Sequence, residues 1–255
     1  MTKEMYKMGI IYNRFIPDGN ASPLIIPYSD RSKILTYLTY DNFVGGSSPW
    51  GSEWPLPMKR VVLTVSGNSN NWTRVTTDEA IRLPQYASNN LYEYTISDTS
   101  SVMTFNGGTL YIVCKYTTDG KNPRFYTYDS NNNRVYVFTC GREPGSNFNA
   151  WRKGAQYLQL DSKMHDYYNV YAVNYYYDAT ASTFDVFAMF NVFTLQWNQQ
   201  SGLSYKPKKY WAKREEGNMD IKFLAIVEGK ESNEAIIKNV HNIMKYFDIN
   251  GGRYW

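Results

Sequence analysis

The strongest constraint on this chain is a recurring unit: a short run of β-branched and aromatic residues, closed by a cluster of turn formers. Ile10 to Ile16 is such a run, and Pro17-Asp18-Gly19-Asn20 closes it as a tight turn. Val61 to Ser66 is a second, closed by Gly67-Asn68-Ser69-Asn70-Asn71. Thr109 to Tyr116 is a third, ended by Thr118-Asp119-Gly120. Arg124 to Tyr128 and Arg134 to Cys140 flank Asp129-Ser130-Asn131-Asn132-Asn133, which is a hairpin signal. Arg74 to Thr77, Tyr92 to Ile96, Tyr157 to Leu160 and Asn169 to Tyr177 continue the pattern. Leu24 to Tyr28 reads as a strand that Pro23 and Pro27 confine to an edge, and Ile34 to Tyr40 fits either strand or helix. Strands at this spacing predict a mainly β fold, an antiparallel sandwich of jelly-roll type.

One or two helices should pack on it. Ser232 opens the better one, because Ile236, Ile237, Val240, Ile243, Met244 and Phe247 recur at helical spacing and Asn250-Gly251-Gly252 supplies a stop. Ser182-Thr183-Phe184-Asp185 matches a capping box for a second helix running to about Gln199, although that run is aromatic enough to be a strand pair. With no internal repeat and no dividing linker, residues 1–255 read as a single sandwich domain with a helix near 232–248. Gly45 to Pro57, with Trp50 and Trp54, reads as an irregular loop anchored by aromatics.

Composition then narrows function. Tyrosine occurs 24 times and clusters at Tyr167, Tyr168, Tyr171, Tyr175, Tyr176 and Tyr177. Tyrosine joins a rigid apolar body to one hydroxyl that both donates and accepts, which suits packing against other copies of a chain. These six residues are the candidate assembly contacts. Charged residues are only 20% of the chain, and the net charge of +4 is spread out. The densest basic run, Lys206 to Lys209 followed by Lys213-Arg214, reads as a solvated loop beside Glu215-Glu216. Lys209-Tyr210-Trp211 and Arg124-Phe125-Tyr126 place aromatics beside cations, as nucleobase stacking would need, but such adjacency is expected by chance at 17% aromatic content. No run approaches a membrane span, and Met1 to Met8 is too polar for a signal peptide, so the acceptor tripeptides Asn20-Ala21-Ser22 and Asn71-Trp72-Thr73 read as coincidence.

Chemistry is poorly represented. His165 and His241 are far apart, and Cys114 and Cys140 form no CxxC pair, so neither a metal site nor a disulfide framework is expected. Buried thiols are the simpler reading for both cysteines. His165 with Asp166 offers a base and its orienter, yet a surface or interface histidine is the plainer reading, and His241 at the edge of the helical stripe reads as a satisfied, partly buried histidine. No glycine-rich stretch fits a phosphate loop and no nucleophile elbow is present. The expectation is a protein with no catalytic residues, no metal and no cofactor.

Several stretches, in order along the chain, resemble the cypovirus polyhedrins. Ile10 to Gly19 resembles that family's first strand and its Asp-Gly turn. Arg60 to Val65, and Arg74-Val75 running on to Leu83-Pro84-Gln85-Tyr86, resemble its central strands. Tyr157 to Leu160, with His165 and Tyr168-Asn169, resembles a later strand and loop. Phe184 to Phe187 sits where the family carries a helix; alternatively His241 to Met244, with Arg253-Tyr254-Trp255, resembles that region. The resemblance implies a structural matrix protein of viral occlusion bodies, which crystallises in the cytoplasm of an infected cell, protects embedded virions and dissolves in alkali. Its implied partners are copies of itself, as a homo-oligomer such as a trimer and as a lattice, and virions. Two other readings compete: a phage tail or viral capsid component, and a carbohydrate-binding or pore-forming toxin domain using Trp50, Trp54 and Trp72.

Overall fold

Fifteen strands in two antiparallel sheets, with one helix near the C-terminal end, make up the described part of the molecule. The computed structural model describes residues 25–30, 33–40, 62–66, 73–83, 93–97, 107–116, 124–128, 134–139, 147–153, 156–161, 168–178, 180, 183–191, 195–203, 213–215 and 219–249. In chain order the strands are β1 (Ile34–Thr39), β2 (Val62–Ser66), β3 (Thr73–Val75), β4 (Ala80–Leu83), β5 (Glu93–Ser97), β6 (Gly107–Tyr116), β7 (Arg124–Tyr128) and β8 (Arg134–Thr139). They continue as β9 (Asn147–Lys153), β10 (Gln156–Asp161), β11 (Asn169–Asp178), β12 (Thr183–Asn191), β13 (Leu195–Leu203), β14 (Lys213–Glu215) and β15 (Met219–Glu228); helix α1 (Asn233–Tyr246) follows.

The first sheet runs β13-β12-β11-β6-β15-β4-β3, with β1 also paired to β15. The second runs β10-β9-β8-β7-β14-β5-β2, and β10 lies against β12 and β13. This is the mainly β sandwich with a C-terminal helix that the sequence predicts.

The heart of the first sheet is β6, β11 and β15, and both of its faces are dry. On one face Tyr111, Val113, Val170, Ala172, Phe223, Ala225 and Val227 pack with Ile236, Val240, Ile243 and Met244 of α1. On the other, Leu110, Ile112, Tyr171, Val173, Leu224 and Ile226 are also buried. Strands covered on both sides carry near-continuous apolar runs rather than alternation.

Helix α1 starts where the sequence places it. Ser232 is the N-cap, and its hydroxyl accepts a hydrogen bond from the Ala235 amide at 3.1 Å. It stops earlier than the glycine pair at 251–252. Asp248 takes the left-handed conformation (φ 51°), and the Ile249 amide donates to the Met244 carbonyl at 3.0 Å. That is a Schellman closure with Asp in the usual glycine position, accompanied by burial of both Ile249 and Met244.

Three expectations are corrected. The helix from Ser182 to Gln199 is instead β12 and β13, which pair in register from Phe184↔Leu203 to Asn191↔Leu195. Thr183, Phe184, Val186 and Phe187 lose side-chain freedom in a helix, and β12 gains hydrogen-bonded partners on both edges from β11 and β13. The described part of the Leu24–Tyr28 segment is a series of turns, not an edge strand, with Ile25 and Ile26 driven into the core. Lys213-Arg214 is not loop: with Glu215 it forms β14, which bridges β7 and β5. The segments 10–16 and 45–57 lie outside the described residues.

Candidate functional site

One edge of β15 is shared by two strands end to end. β4 pairs Met219 to Ile221, and β1 pairs Phe223 to Val227. Lys222 falls at the seam, and the pairing of β15 with β6 shifts register there, between Ile221 and Phe223. An extra residue at such a bulge re-aims its side chain and interrupts the ladder. Here it turns Lys222 toward Tyr168, whose ring centroid lies 4.5 Å from the ammonium.

Tyr168 is the centre of this cluster. The Lys115 ammonium stands 4.7 Å from the same ring and donates to Asp78 Oδ2 at 2.7 Å. The Tyr168 hydroxyl donates to that same oxygen at 3.0 Å. Asp78 sits in the four-residue turn between β3 and β4, where Glu79 adopts a left-handed φ of 49°. The hydrogen bond from Lys115 holds the Asp78 carboxyl below its ordinary range. Burial, then the bond to Asp78, raises the Tyr168 phenol well above its own. Alongside, Arg82 grips the fully buried Asp220 through two hydrogen bonds of 2.7 and 2.8 Å. That pairing satisfies a carboxylate which would be costly to bury alone. Arg74 on β3 lies 5.0 Å from the Tyr40 ring, tying the end of β1 to the hairpin.

A second polar group sits under α1. The Asn239 amide donates to Ser29 Oγ (2.9 Å) and Tyr111 Oη (3.1 Å). Each hydroxyl in turn donates to one oxygen of Glu231, at 2.5 and 3.0 Å. Asn239 Oδ1 accepts from the Tyr28 amide at 3.1 Å. The result is a closed ring in which every described donor has an acceptor, and it fastens residues 25–30 to the helix and to β6. Burial, then the nearby Glu231 charge, pushes the Tyr111 phenol well above its ordinary range.

Of the tyrosines singled out from the sequence, Tyr168, Tyr171 and Tyr176 have described side chains. Tyr167 lies outside the described residues. Tyr168 turns inward to the seam, and Tyr171 is fully buried within the chain. Tyr175, Tyr176 and Tyr177 follow along β11, opposite Val186, Asp185 and Phe184 of β12. The half-buried Tyr176 ring has the Lys230 ammonium 5.0 Å from its centre.

Cys114 is buried as expected, and Cys140 and His165 lie outside the described residues. His241 is half-buried, but its Nε2 finds no hydrogen-bond partner among the described residues, and burial holds its pKa below the ordinary value. No group of three potential metal ligands occurs among the described residues. No helix there is long and apolar enough to cross a membrane.

The seam was missed in the sequence because β15 was missed. Its signal was the apolar run Phe223 to Val227, which reads as strand only once burial on both faces is considered.

The sequence matches no family model and no curated protein. Among solved structures, the chain is similar to a pseudo β-1,3-glucanase of Mycobacterium tuberculosis, with TM-score 0.46 and 8% identity over 78% of this chain and 100% of that one. It is similar to the Lotus tetragonolobus seed lectin, with TM-score 0.39 and 10% identity over 68% and 95%. A bifunctional GH43-CE protein of Bacteroides eggerthii gives TM-score 0.42 and 9% identity over 71% of this chain, which spans only 25% of that protein. At these identities and scores the similarities carry no argument about what this chain does.

Proposed function

We propose that this chain is a structural, self-assembling protein, the matrix of a viral occlusion body that forms in the producing cell and dissolves in alkali. The observation that supports it most is how the fold uses tyrosine. Tyr111 is fully buried and Tyr168 partly so, and their hydroxyls donate hydrogen bonds to carboxylates that also hold neighbouring elements together. Such a fold is tight while its phenols stay protonated. It loses that support when alkali removes the protons, because a phenolate cannot donate and would face Glu231 or Asp78 with like charge. In both clusters the carboxylates are committed to fastening the structure, which suits a scaffold. Low charge density lowers the desolvation cost of repeated contacts between copies.

The test is overproduction of the chain, with electron microscopy of the producing cells. Crystals or dense particles inside the cell support the reading. Rings or tubes would move it to a tail or capsid component. A diffuse, soluble product at high expression would reject self-assembly.

A further inference from the structure

We propose that Lys222 is a selectively reactive amine, a site at which small aldehydes condense to form a Schiff base. The placement of the residue carries the argument. The bulge takes Lys222 out of the β-ladder register and leaves it at the junction of β1 and β4. Among the described residues its ammonium makes no hydrogen bond and no ion pair, only the contact with the Tyr168 ring. Asp78, which accepts the hydrogen bond of the Tyr168 hydroxyl, is already engaged by Lys115, and the nearby Asp220 is held by Arg82.

Lys238 on α1 is exposed and ion-paired to Glu234 at 2.6 Å, which stabilises its charged form. At Lys222 burial weakens the hold on the proton, and the Lys115 ammonium on the same ring adds to that effect; Asp78 and Glu79 oppose it without cancelling it. A half-buried lysine beside a second cation is a recognised route to a nucleophilic amine.

The chemistry balances without an oxidant. The neutral amine's lone pair bonds the carbonyl carbon while the carbonyl π pair moves to oxygen. One proton passes from nitrogen to that oxygen to give the carbinolamine; the nitrogen lone pair then forms the C=N bond as the C–O bond breaks, and the second nitrogen proton leaves with the hydroxyl as water.

The experiment is labelling of the full chain with limiting glycolaldehyde at neutral pH, trapping with cyanoborohydride and peptide mapping. Lys222 should carry more adduct than the exposed lysines Lys33, Lys230, Lys238 and Lys245. Lys115→Met should slow labelling at Lys222 and move its pH midpoint upward. Glu79→Gln should speed it and move the midpoint downward. Adducts ranked by exposure, with Lys222 at or below those four lysines, would overturn the proposal, as would a Lys222 rate indifferent to both substitutions. The wild-type ranking decides the matter if either variant fails to fold.

Discussion

Asn239 ties three segments of the chain together by donating two hydrogen bonds and accepting one. A helix-interior asparagine is an unremarkable sight in a sequence. Its meaning depends on Ser29, Tyr111 and Glu231, which are far away along the chain. No periodicity connects them, so the ring was not legible beforehand. Tyr111→Phe keeps the ring shape and deletes one hydroxyl, leaving a buried amide proton and a carboxylate oxygen unpaired. Stability should fall by about 1–3 kcal/mol, read from the urea midpoint. His241 gives a second residue-scale expectation. Its folded pKa is depressed, so the unfolded chain binds the proton more readily. The contribution is present above the unfolded value, about 6.5, and is lost as pH falls through the lower folded value. Thermal midpoints should therefore drop between about pH 7 and 5 in the wild type, and drop less in His241→Leu.

At the scale of elements, the legible parts were those with local signals. α1 carries its cap and its apolar stripe in its own sequence, and β6 is β-branched and bounded by turns. The hairpin of β7 and β8 announced itself through the turn formers between its strands, and it pairs from Arg124↔Thr139 to Tyr128↔Arg134. β12 carried a capping motif that tertiary pairing overrode, and β14 is three charged residues that become a strand only because β5 and β7 flank them. The end of α1 falls where it was expected, near 248, but the turn there is made by Asp248 rather than by the glycines that follow. Glycine adopts that conformation without a side-chain penalty. Asp248→Gly should thus raise stability by roughly 0.5–1 kcal/mol, checked by the shift in denaturant midpoint at unchanged slope.

For the whole molecule, the sandwich was legible from turn spacing, and the assembly remains the proposal that the buried tyrosines support. Both raised phenols have the same sign. Their contribution is whole below the free value near 10 and is lost as pH climbs through the higher folded values. Above about pH 10 the fully buried Tyr111 alone should remove about 1.4 kcal/mol of stability per pH unit. The strand tyrosines Tyr175, Tyr176 and Tyr177 are a separate question, since any contacts between copies add to this internal lever. The most direct measurement is light scattering of purified protein titrated from about pH 7 to 12, which spans the free phenol value, with the Tyr175, Tyr176 and Tyr177 to Phe triple variant alongside. The account predicts large particles at neutral pH that dissolve above about pH 10, with the variant dissolving later. A monomer at every pH would contradict it.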